Sequence, residues 1–164
     1  MTPRSRPARL LLLAACAIVL AGTSCPVPGI GVTCSNSLEG FGFRATIPAE
    51  YTCTTVLPNA ALLLSVRYRN AAGAIVSVVV APAGQSSTPG SGVTTEDLGN
   101  ATNAAGVTFM RTKVVIAALG NYSYVGVTTL PSGSVLGITV AGFSDDAALL
   151  TTLTSILDSV VLTG

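Results

Sequence analysis

The sequence predicts an α+β domain, with a mostly antiparallel sheet of about six or seven strands and a C-terminal amphipathic helix packed on one face. Three observations lead there. Between 41 and 141, apolar residues alternate with polar ones in short runs separated by Gly, Pro and Asn, the pattern of half-buried strands joined by turns. From Leu149 to Val160 the apolar spacing changes to three and four, the pattern of a helix with one buried stripe. The first 24 residues fit neither pattern and stand apart from the fold.

That leader carries Arg4, Arg6 and Arg9, an unbroken apolar run over 10–21, and the small residues Gly22, Thr23 and Ser24 ahead of Cys25. A basic start, a short apolar stretch and a small-residue cleavage site make a secretory signal. The run is too short to span a bilayer, which takes about 20 apolar residues. Residues 1–24 are therefore expected to be a signal peptide, 25–38 a tether rich in turn residues, and 39–164 a single globular domain. Removing 24 of 164 residues leaves 140, enough for one core and too few for two.

The elements follow in order. Phe41, Phe43, Ala45 and Ile47 alternate with Gly42, Arg44 and Thr46, which predicts a first strand over 41–47 that Pro48 ends. A short second strand over 51–56 carries Cys53. The run 62–69 alternates into the turn NAAG at 70–73, and the strand 74–80 that follows is apolar on nearly both faces, which places it inside the sheet. It must be covered on both sides, by the 81–107 segment or by another subunit. Residues 81–92, rich in Gly, Ser and Pro, read as a loop. Thr94 and Asp97 suggest a short helix over 95–100. Strands at 108–117, 122–130 and 134–141 make a meander, with turns at 120–121 and 131–133. Ser144 is placed to cap the last helix, with Asp145 and Asp146 where its dipole favours negative charge.

Cys25 after Gly22, Thr23 and Ser24 resembles the lipobox of bacterial lipoproteins, although Gly22 stands where that family prefers Leu, Val or Ile. The resemblance implies a diacylglyceryl group on the Cys25 sulfur. Leu13, Ala14 and Ala15 ahead of Cys16 fit the consensus better but would leave 17–21, all apolar, on the mature chain. Ordinary cleavage into a soluble secreted product is a further alternative. With Cys16 removed and Cys25 lipidated, Cys34 and Cys53 remain as a pair able to form a disulfide in an oxidising compartment. Plain secretion would leave three cysteines and one unpaired.

The order of elements, with Phe41 to Pro48 (FGFRATIP) at the start, Leu130 to Gly133 (LPSG) in the meander and Ser155 to Val160 (SILDSV) at the end, is similar to the PsbP-like α/β/α sandwich group. That group includes bacterial lipoproteins of unknown role. The resemblance implies a fold and does not carry a function with it.

Charge and composition narrow the chemistry. Beyond residue 24, five basic residues face seven acids, a net charge of 5 − 7 = −2, which speaks against a nucleic-acid partner. No histidine is present anywhere, which removes histidine-dependent nucleophile systems and histidine metal sites together. The only lysine, Lys113, sits mid-strand near Arg111, and a Ser–Lys dyad would have to use it. The acids Glu39, Glu50, Glu96, Asp97, Asp145, Asp146 and Asp158 are expected in loops or on the helix, with no pair placed for hydrolysis. Catalytic residues, cofactors and metals are accordingly expected to be none. Arg44, Arg67, Arg69, Arg111 and Lys113 all fall in predicted strands, and residues two apart share a face. Were those strands neighbours, the sheet would carry a basic stripe suited to an anionic ligand such as a lipid headgroup or acidic glycan. A solvated, edge-protecting role is the simpler account of the same charges.

The sequence thus points to an exported, lipid-anchored, non-catalytic binding or interaction module at the bacterial cell envelope. Its partners would be the membrane, through the N-terminal lipid, and an anionic ligand or envelope protein. The alternative is a carrier of small ligands or lipids, with a pocket between helix and sheet lined by Leu153, Ile156 and Leu157.

Overall fold

The computed structural model describes residues 34–56, 62–84, 93–143 and 147–163. The leader with Cys16 and Cys25, the capping residues 144–146 and most of the 81–92 loop lie outside the described residues.

The chain enters the fold earlier than the tether expectation of 25–38 allows. Strand β1 (Ser37–Gly40) already contributes Leu38, which is fully buried. It pairs with β2 (Phe43–Thr46) through a two-residue turn at Phe41 and Gly42, with φ of 52° and 82°. Positive φ at both turn residues matches the right-handed twist of the flanking strands. The expected single strand over 41–47 is therefore corrected: its first two residues are the turn, and the alternation is real only from Phe43. Phe43, Ala45 and Ile47 point inward.

Seven strands form the large sheet: β3 (Thr52–Val56), β4 (Leu64–Arg69), β5 (Ile75–Ala81), β6 (Val93–Thr102), β7 (Thr108–Ile116), β8 (Asn121–Thr129) and β9 (Val135–Gly142). Their order is β3-β4-β5-β9-β8-β7-β6, antiparallel throughout. β5 lies inside the sheet, as its apolar faces require. Asn70 shapes the β4–β5 turn, accepting the Gly73 amide on its carbonyl and the Ala74 amide on its side-chain oxygen at 2.9 Å.

The segment 95–100, expected as a short helix, is the middle of edge strand β6. It pairs on one side only, with β7, and its side chains are almost all exposed. No apolar alternation marks it, because only Leu98, at the bulge, packs against the core. Its β-branched residues and the absence of an apolar stripe at helical spacing favour the strand. The expectation that all acids lie in loops or on the helix falls with it: Glu96 and Asp97 are in β6, and Glu39 is in β1.

Helix α1 (Ala147–Ser159) buries Leu149, Leu153, Ile156 and Leu157 against β8 and β9. It is followed by a two-residue strand, β10 (Val161–Leu162), which pairs with β2 and completes a small sheet of order β1-β2-β10. Small sheet and helix lie side by side on one face of the large sheet. The Ser159 hydroxyl accepts the Thr46 amide between them at 2.8 Å. The core is the layer between, built from Val66, Tyr68, Val78, Ile138, Val140 and their neighbours.

A disulfide joins Cys34 to Cys53 and fastens the entry of the chain to β3. Beside it, the Asn36 amide nitrogen donates to the carbonyls of Ile47, Pro48 and Tyr51. The Tyr68 hydroxyl donates to Ser35 O at 2.9 Å.

Candidate functional site

Directly paired residues in an antiparallel ladder share a face, so the register assigns every strand residue to one side of the large sheet. One row on the helix side runs through Cys53, Tyr68, Val76, Val140, Tyr124, Lys113 and Glu96. The next row on that side runs through Val66, Val78, Ile138, Gly126 and Arg111. Arg111 and Lys113 therefore point to the helix side, whereas Arg67 and Arg69, alternating with buried Val66 and Tyr68, point to the other. Strands β5, β9 and β8 separate β4 from β7.

The five basic residues do not form one face. Arg44 sits in the small sheet, where Glu39 lies opposite it and forms an ion pair at 3.2 Å with both side chains more than half exposed. Arg111 donates to the carbonyls of Leu98 and Gly99 and holds the bulge in β6. Lys113 lies 5.9 Å from the ring centres of both Tyr122 and Tyr124 and faces Glu96 across the ladder. Arg44, Arg111 and Lys113 each have a local partner, and the condition for a basic stripe, that the strands be neighbours, is not met.

Leu153, Ile156 and Leu157 are not among the residues that line the two hollows described below. All three are buried in the core, and Leu157 fills the space above Gly126. The concavity between helix and sheet lies further up, at the N-terminal end of α1. It is a cleft of about 400 Å³ lined by Glu50 and Tyr51 from the β2–β3 connection, Asn70, Ala72 and Ala74 from the β4–β5 turn, Gly142 and Phe143 from the end of β9, and Ala148, Leu149 and Thr152 from α1. Small residues open it: Ala72, Ala74 and Ala148 contribute no more than a methyl each. Its base is closed where Leu149 packs onto Gly142.

The chemistry of this cleft is simple. Among the described residues Glu50 is its one charged lining group, and it is exposed. Burial raises the Tyr51 phenol above its ordinary range, with a hydrogen bond from Thr152 opposing and the Glu50 carboxylate adding to the rise. Tyr51 is therefore a neutral phenol at physiological pH. The Asn70 side-chain oxygen is committed to the Ala74 amide. Phe143 stands at the rim with 74% of its surface exposed, the highest among the large apolar side chains described. A second, wider hollow of about 670 Å³ is lined by Met110, Val127 and Leu162 among others and has no charged group.

Of the acids, Glu50 reaches a cleft, Glu39 is paired with Arg44 and Glu96 lies at the sheet edge. Among the described residues no three His, Cys, Asp or Glu side chains come together as a metal-binding group. Sequence reasoning missed Asn70, Phe143 and Thr152 as site residues. Phe143 carried a signal: a large aromatic between a strand end and a helix start, with no partner in the alternation. Against known proteins, the chain matches no family model and no curated sequence.

Proposed function

We propose that this chain is an exported, lipid-anchored, non-catalytic binding module of the bacterial cell envelope, built on a PsbP-like fold and tethered through Cys25. The single observation that carries the binding role is the cleft at the N-terminal end of α1, formed by residues from four separate parts of the chain. Small residues keep it open, and an exposed aromatic ring stands at its mouth. Pockets for small molecules are mainly apolar with a few placed polar groups, and this one has that character. It lies between helix and sheet, as the carrier alternative requires, so the ligand is read as a small molecule. The tether is supported by the basic and apolar leader and by the short distance in sequence, nine residues, from Cys25 to Cys34 at the disulfide.

Two measurements test the reading. Intact mass and N-terminal peptide mapping of protein from the native membrane fraction should find a diacylglyceryl group on Cys25, and an unmodified soluble product would reject the tether. A mixed small-molecule screen by NMR on the full-length protein in neutral detergent should move signals of Phe143 and Thr152. Ala72→Trp, which fills the cleft from an exposed position, should abolish those shifts. A screen in which nothing touches the cleft rejects the binding role.

A further inference from the structure

We propose that the cleft at the head of α1 takes a small organic ammonium ion, its positive nitrogen at the Glu50 carboxylate and its apolar part against the Phe143 ring. The inference rests on the reading of this cleft as a ligand seat and names the class of ligand.

The lining decides the sign of the charge. Among the described residues Glu50 is the one charged group that forms the walls, with no Arg or Lys beside it. Arg69 is close in sequence, but it alternates with buried Tyr68 onto the opposite face of the sheet, its guanidinium near Gly73, and it is not among the lining groups. Among the described lining residues an anion would find no counter-charge. A cation finds a carboxylate at the mouth.

The remaining lining decides the kind of cation. A hydrated metal ion wants several oxygen ligands together. Here the side-chain oxygens are one carboxylate, the Tyr51 and Thr152 hydroxyls and the Asn70 amide oxygen, the last already taken by the Ala74 amide. The other walls are the methyls of Ala72, Ala74 and Ala148, the side chain of Leu149 and the ring of Phe143. An ion with an apolar surface of its own suits such walls, because it sheds little hydration on entry. Phe143 completes the set: a positively charged nitrogen over an aromatic face is attracted by the negative face of the ring. Its 74% exposure leaves that face accessible. The size also agrees, because about 400 Å³ holds a compact amine and excludes a long chain.

The probes are choline and its uncharged isostere 3,3-dimethylbutan-1-ol, titrated by NMR into the full-length protein in a neutral maltoside detergent. Choline should shift the signals of Phe143, Thr152 and Ala148, and the isostere should bind at least tenfold more weakly. Glu50→Gln should reduce choline affinity by a similar factor while leaving the thermal midpoint unchanged, because Glu50 is exposed and outside the core. Phe143→Ala should weaken choline several-fold. Equal binding of choline and the isostere, or choline binding unaffected by Glu50→Gln, overturns the proposal. If choline fails while a neutral compound from the mixed screen binds and is blocked by Ala72→Trp, the ammonium assignment is wrong and the ligand seat stands. If neither choline nor any compound of the screen touches the cleft, both readings fall.

Discussion

Gly126 and Leu157 occupy each other's space: a Cβ built on Gly126 would lie 2.8 Å from both terminal methyls of Leu157. Helix α1 rests on β8 at this point, and the row that holds Gly126 continues into Ile138 on one side and Arg111 on the other. Gly126→Ala should therefore destabilise the domain by about 1–3 kcal/mol through overpacking. Urea unfolding followed by circular dichroism measures it. Leu157→Ala in the same background should recover part of the loss, since it removes the clashing methyls.

Asn103 is the second fastening of the helix. Its amide nitrogen donates to the carbonyls of Leu157 and Val160, both at 2.8 Å, and its side-chain oxygen accepts the amides of Ala105 and Val107. One side chain thus caps the C-terminal end of α1 and closes the β6–β7 turn. Asn103→Ala leaves those groups short of partners, and a cost of about 1–3 kcal/mol follows. Asn103→Asp should restore the turn bonds and not the helix cap, because a carboxylate cannot donate. An intermediate unfolding midpoint for Asn103→Asp is the expected reading.

Tyr68 makes stability depend on alkaline pH. Burial pushes its phenol up to about 12 from an ordinary value of 10.0. The unfolded chain therefore gives up this proton before the folded one does. The contribution is fully present below about pH 10 and is lost as pH rises toward 12. Tyr51, also raised by burial, acts in the same direction. Thermal midpoints measured from pH 8 to 11.5 should fall above pH 10. Tyr68→Phe should flatten part of that fall, while costing about 1 kcal/mol at neutral pH for the lost bond to Ser35.

The Cys34–Cys53 bridge closes a loop of sequence separation 19. On chain-entropy grounds such a loop is worth about 3 kcal/mol. Replacing both cysteines with serine should lower the urea midpoint accordingly. Because Asn36 and Tyr68 also hold this segment, the variant should stay folded in the absence of denaturant.

The strands that carry core residues were legible because burial writes a period of two into the sequence: Val76, Val78 and Val80, or Leu136, Ile138 and Val140, alternate without a break. The helix was legible for the same reason at its own period. What escaped was backbone that meets the core weakly or only once. β6 has wet side chains on both faces, so its acids imitated the start of a helix. β1 is four residues long and buries only Leu38, and β10 is held by pairing to β2 rather than by a pattern of its own. The basic residues were correctly placed in strands, but strand order is a long-range property that spacing does not encode. The placing of β5, β9 and β8 between β4 and β7 is what scattered them. The cleft escaped because its walls come from residues 50–51, 70–74, 142–143 and 148–152, which only the fold brings together.

The position of the disulfide also settles how mechanical tension enters the molecule. β1 and β2 lie between the two cysteines in sequence, inside a closed covalent loop. Any pull on the chain ahead of Cys34 passes through the sulfur bridge directly into β3, at the margin of the seven-stranded sheet. The β1–β2 hairpin hangs in the slack of that loop and carries none of the force. A body dragged by its N-terminus therefore keeps its small sheet, and with it the seat of α1, while the edge strand takes the strain.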